Sequence, residues 1–106
     1  MDYLGEFEQI VMLAILRLGE TAYGMTIRKE IQDVAKRVAS LGAVYTTLER
    51  LEDKGFLTSA VGEVTEERGG RAKKYFRVTG LGQAVLKQAL NATQAMRAGV
   101  VLEGAR

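Results

Sequence analysis

Ser40-Leu41-Gly42-Ala43-Val44-Tyr45-Thr46-Thr47-Leu48-Glu49-Arg50-Leu51-Glu52-Asp53-Lys54-Gly55 is the stretch from which the rest of the chain can be organised. Leu41, Val44, Leu48 and Leu51 recur at steps of three and four, the period of one helix face. Ser40 reads as the N-cap, because its hydroxyl can accept a free N–H of the first turn. Gly55 reads as the residue just past the helix end. After Gly55 the period changes. Phe56 to Val64 is apolar, Thr and Gly without a helical stripe, and Lys73, Tyr75, Arg77 and Thr79 alternate with Lys74, Phe76 and Val78. These spacings predict strands over 56–64 and 72–79, joined by the glycine-punctuated turn of Thr65 to Arg71. A lone hairpin is barely stable in water, so this one must pack on helices.

Two helices precede that stretch. Phe7, Ile10, Val11, Ala14, Ile15 and Leu18 keep helical spacing, and Gly19 stops the run. Leu13 and Leu16 lie off the stripe, so this helix is apolar on more than one side and is buried or shared with a partner. A second helix follows Thr21-Ala22, with Ile27, Ile31 and Val34 inward and Arg28, Lys29, Lys36 and Arg37 outward. Downstream, Thr79 can cap a last helix whose stripe runs Leu81, Val85, Ala89, Ala92, Met96, Val100, with Gly99 and Gly104 near its end. Three helices, a hairpin and a helix predict a mainly α protein with a small β-hairpin, a winged helix-turn-helix with an additional C-terminal dimerisation helix. The expected division is 1–80 for the winged module and 81–106 for the dimerisation helix.

Composition narrows the chemistry. The chain has 106 residues, which suits one core, and its 47% hydrophobic and 26% charged content is that of a globular protein. It contains no Cys and no His, which removes thiolate chemistry, the commonest general base and the usual transition-metal ligands. No metal or cofactor is expected. The carboxylate pairs Glu49/Glu52 and Glu66/Glu67 sit in no evident apolar pocket, so no catalytic residue is expected and the chain reads as a non-enzyme. Its longest apolar run, Ile10 to Leu16, is short of the ~18 residues of a membrane span and is preceded by acids. The expectation is a soluble cytoplasmic protein.

The net charge is only +2, but Arg68, Arg71, Lys73, Lys74 and Arg77 form a segment without acids, leaving −3 for the rest. An anionic partner such as double-stranded DNA is one reading; a solvated strand edge protected from aggregation is the other. At about 100° per residue, the third helix turns Gly42, Ala43, Thr46 and Arg50 outward, with Thr47 on the flank. Small and hydroxyl side chains let a helix enter the major groove closely, whereas Glu49, Glu52 and Asp53 would repel phosphate, so only the N-terminal half can sit deep. An ordinary capped surface helix has the same pattern. Tyr45, at the edge of the stripe, suits a half-buried core or a phosphate contact. The tip Arg68-Gly69-Gly70-Arg71 suits close approach to phosphates or a narrow minor groove, or is a flexible turn.

Several motifs at matching spacing carry a family resemblance: Leu4-Gly5-Glu6-Phe7-Glu8-Gln9, Tyr23-Gly24-x-x-Ile27, Ser40 to Leu51, Gly55-Phe56-Leu57 and Gly70-Arg71-x-Lys73-Lys74-Tyr75-Phe76-x-Val78-Thr79-x-x-Gly82. Across about residues 4–86 the chain resembles the PadR-like bacterial transcriptional regulators, in a short form with a single C-terminal helix. It has Leu41 and Thr47 where the family often has Pro. The resemblance implies a homodimeric repressor on a pseudo-palindromic operator, in some members controlled by a small-molecule effector. It carries helix contacts to Ser40, Tyr45 and Thr46, wing contacts to Arg71 and Lys73, and dimerisation to the helix from Leu81. With the readings above, the candidate DNA-binding set is Ser40, Ala43, Tyr45, Thr46, Thr47, Arg50, Arg68, Gly70, Arg71 and Lys73. The candidate dimerisation set is Leu13, Leu16, Leu81, Val85, Ala89 and Met96. From another class, a winged-helix protein-interaction module would use the same basic hairpin on an acidic partner.

Overall fold

The computed structural model describes residues 3–62 and 72–104. Helix α1 spans Glu6–Leu18, α2 Gly24–Ala35, α3 Leu41–Asp53 and α4 Gly80–Arg97; strands β1 (Leu57–Val61) and β2 (Lys74–Val78) form the hairpin. This is the winged helix-turn-helix that the residue pattern predicts. On α1, Val11, Met12, Ala14 and Ile15 are buried, and burying one large aliphatic side chain contributes about 1.5–3 kcal/mol. Its first turn is closed by Glu8, whose Oε1 accepts the Gly5 N–H at 2.8 Å. Leu13 and Leu16 remain exposed on the other side.

A single 3-10 turn, Gly19–Thr21, leads into α2, where the Thr26 hydroxyl accepts the Tyr23 N–H at 3.0 Å. Ile27 and Ile31 are buried as expected, but Val34 is 51% exposed and not an inward residue. The last turn of α2 runs past the core, and the helix ends on Lys36, whose left-handed backbone (φ +57°) breaks the hydrogen-bond ladder. Ser40 caps α3 by accepting the Ala43 N–H at 3.0 Å. Val44, Thr47, Leu48 and Leu51 face the core. Gly55, at φ +83°, makes the turn out of α3, a conformation that costs a side chain roughly 1–2 kcal/mol.

β1 and β2 pair antiparallel from Leu57 opposite Val78 to Val61 opposite Lys74. Phe56 precedes β1 as a buried core residue, and β2 is shorter than the expected 72–79 at both ends; residues 63 and 64 of the expected first strand and the turn 65–71 lie outside the described residues. A third rung joins them, since Tyr23 bridges Tyr75 and the Phe76 N–H donates to the Ala22 carbonyl at 2.9 Å. That rung answers the hairpin's need for support. It hydrogen-bonds the wing to the α1–α2 connection, and Leu57, Phe76 and Val78 bury against the helices.

Thr79 caps α4, accepting the Gly82 N–H at 3.0 Å while donating to the Gly55 carbonyl at 2.7 Å. Gly82 has to be glycine: a Cβ there would collide with the Phe56 carbonyl. On α4 the buried positions are Gly82 and Leu86, not the Leu81-to-Met96 stripe. Val85 packs against the core, while Leu81 and Met96 are exposed. The helix stops at Arg97, so Val100 lies beyond it. The radius of gyration is 15.5 Å, against about 13 Å for a compact domain of this length.

Candidate nucleic-acid interface

Three surface elements converge at the N-terminus of α2. The Tyr45 ring, from the middle of α3, lies directly on the Gly24 backbone, where any side chain would collide with it. Next to Gly24, the Tyr23 ring meets Tyr75 of β2 edge-on, centroids 5.5 Å apart. The Lys73 ammonium sits 4.6 Å from the centre of the Tyr23 ring, within cation–π range. Tyr45, Gly24, Tyr23 and Lys73 therefore form one continuous contact chain from α3 to the base of the wing. Tyr45 is half-exposed, and its ring closes the helix-turn-helix against α2.

On α3, Gly42, Ala43 and Thr46 are exposed, giving its first half a small outward face. Ser40 is exposed too, but its Oγ is engaged in the cap. Thr47 faces inward and not along the flank. It is buried, and its hydroxyl donates to the Ala43 carbonyl at 2.9 Å, so it packs the helix inward and offers nothing to an outside partner. Arg50 is on the outward side with its side chain 51% exposed, one guanidinium nitrogen 3.8 Å from Glu8. The repelling charge in the second half is partly offset, because Glu52 accepts from the Ser59 hydroxyl at 2.6 Å and pairs with Lys74 at 3.6 Å. Arg68, Gly70 and Arg71 lie outside the described residues.

The dimerisation candidates do not form one patch. Leu13 and Leu16 of α1 share an open groove of about 360 Å³ with Ala84, Leu86 and Leu90 of α4. Val85 instead packs on the core, and Leu81 lies beside Gly55. Leu90 lies off the predicted stripe; it lines the same groove as Leu13 and Leu16. Glu8 also joins elements that local spacing does not connect. An acid at the third position of a helix signals a cap, but its contact with Lys54, 3.3 Å away and 46 residues on, has no local signature. Among the described residues no group of acids could hold a metal, and no helix is long and apolar enough to cross a membrane. Lys29 is held above its ordinary pKa by its hydrogen bond to Asp33.

Comparison with known proteins agrees with this architecture. A family model described as the transcriptional regulator PadR-like family matches residues 12–88. An uncharacterized protein from Lysinibacillus sphaericus is 30% identical over 86 residues, covering 79% of this chain and 74% of that one. A PadR family transcriptional regulator from Eggerthella lenta superposes with a TM-score of 0.70 at 28% identity, covering 89% of this chain and 81% of its own. A transcriptional regulator from Clostridium thermocellum gives 0.71 at 25% identity, covering 85% and 84%. With its helices, wing and motifs matched along most of its length, the chain belongs to the PadR-like family of transcriptional regulators.

Proposed function

We propose that the chain is a DNA-binding repressor that grips a pseudo-palindromic operator as a homodimer. The observation that carries this reading is the contact chain Tyr45–Gly24–Tyr23–Lys73, which sets the small outward face of α3 and the cationic base of the wing at fixed separation. Ala43 and Thr46 enter the major groove, with Thr46 against a thymine methyl or a base edge. Ser40 and Tyr45 lie at the backbone, and Lys73 with Arg68, Gly70 and Arg71 follows the phosphates. Residues 1–80 make up this DNA-binding unit. Residues 81–106, with Leu13 and Leu16, supply the dimer contact, since the open α1–α4 groove and the exposed Met96 need covering. Two α3 helices then reach successive major grooves about 34–36 Å apart. A small-molecule effector and a cytoplasmic setting complete the reading.

Selection from random duplex DNA, followed by binding measurements at several salt concentrations, tests it. An enriched inverted repeat with steep salt dependence is expected. Lys73→Ala should weaken binding similarly on all duplexes and flatten the salt slope by about one unit. Binding that ignores salt, or no duplex binding at all, would overturn the proposal.

A further inference from the structure

Glu8 is the only charged side chain buried among the described residues, 7% exposed, and closing the first turn of α1 occupies only one of its two carboxylate oxygens. Two groups hydrogen-bond its carboxylate and a third, charged group lies close by. Oε1 accepts the Gly5 N–H at 2.8 Å, while Oε2 lies 3.3 Å from the Lys54 ammonium and 3.8 Å from Nη1 of Arg50. Lys54 and Arg50 are one helical turn apart, so both reach the carboxylate from the same end of α3. Arg50 also follows Thr46 by four residues and Ala43 by seven, which puts its Cα on the helix side that faces outward.

From this geometry we infer that Glu8 is a positioning residue for sequence reading: it fixes Arg50 at the C-terminal end of the α3 outward face, presented to the edge of a guanine. The inference rests on the DNA-binding reading above. Nη1 faces the carboxylate, and the rest of a planar fork with five donors remains exposed. The carboxylate attracts the guanidinium across 3.8 Å without a hydrogen bond, which biases its free edge toward one direction, as bidentate contact with guanine O6 and N7 demands. Released from Glu8, the same side chain follows the nearest phosphate, which every sequence offers. The capping bond to Gly5 ties this arrangement to the start of α1.

The test is a double-mutant cycle on the ratio of specific to non-specific affinity, using the wild type's own selected duplex and a scrambled one. Glu8→Gln keeps volume and the acceptor for Gly5. It should cut the ratio about tenfold while leaving non-specific affinity within about twofold. Arg50→Ala should cut it by a similar factor, and the double variant no further, because both changes remove one contact. Should Glu8→Gln not fold, Glu8→Asp, which keeps the charge but withdraws it by one methylene, takes its place with a loss in the same direction. Losses that multiply in the double variant would make Glu8 a structural residue and overturn the inference, and so would an Arg50→Ala protein with an unchanged ratio. A wild type that enriches no sequence would fail the parent reading and this inference together. A wild type with a clear preference that neither variant alters would fail the inference alone.

Discussion

Helices α3 and α4 start in the same way and end in different situations. Each has a hydroxyl N-cap accepting the N–H three residues on at 3.0 Å, Ser40 in one and Thr79 in the other. Each carries apolar residues at helical spacing. Yet α3 buries Val44, Leu48 and Leu51 completely, whereas α4 buries Leu86 and leaves Met96 at 79% exposure. An apolar stripe records that a face must be covered. It does not say whether the same chain or another molecule covers it.

The largest effect that would break this contrast is a core deletion in α3. Leu48→Ala should cost about 2–5 kcal/mol of stability in chemical denaturation, because the site is enclosed and cannot collapse. Met96→Ala should change the fold of one protomer by less than about 0.5 kcal/mol. Met96→Glu should instead abolish the dependence of the unfolding midpoint on protein concentration, and sedimentation should show a monomer. A wild type that sediments as a monomer at micromolar concentration would mean that the α4 stripe has no partner of its own kind.

Two glycines sharpen the contrast at the next scale. Gly82→Ala drives a Cβ into the Phe56 carbonyl, and a loss of about 1–3 kcal/mol is expected. At Gly42 the nearest neighbour of such a Cβ is the Ser40 hydroxyl at 4.0 Å. Gly42→Ala in the helix should therefore stabilise by about 0.5–1 kcal/mol while narrowing the approach of α3 to DNA. Stability gained with operator affinity lost would separate folding from reading at one position.

The caps differ by less. Ser40→Ala should cost about 1 kcal/mol. Thr79→Ala should cost more, about 2 kcal/mol, because the Thr79 hydroxyl also ties α4 to Gly55 through a second hydrogen bond. Equal losses would show that the Gly55 link adds nothing. The smallest effect belongs to the solvated face of α2. Lys29 is raised by its bond to Asp33, so that stabilisation is present below the unfolded lysine value of about 10.4 and is lost as pH rises through the higher folded value. Asp33→Asn should remove this alkaline sensitivity and leave the denaturation midpoint at neutral pH nearly unchanged.

Much of the fold is legible in local spacing. The Leu41–Leu51 stripe, the switch to alternation after Gly55, and the hydroxyl residues at 40 and 79 place α3, the hairpin and the start of α4 within a few residues. The outward side of α3 follows from the same period, and so do Ala43 and Thr46. Spacing puts Thr47 on the flank, but its inward position depends on how α3 packs, a rotation of a few tens of degrees that spacing does not resolve. Val34 continues the inward pattern of Ile27 and Ile31, but the core does not extend far enough to cover it.

The order of elements, the caps and the basic segment of the wing follow from the sequence alone, since each depends on neighbours within about four residues, and the lack of thiol and imidazole groups follows from composition. Tertiary structure alone decided what meets across the chain. It laid Tyr45 on Gly24, hung β2 on Ala22 and Tyr23, pressed Gly82 against Phe56, and brought Glu8 to Lys54 across 46 residues. Side-chain period reports which way a residue faces, but a contact also needs the crossing of two elements. That crossing is set by the packing of the whole core.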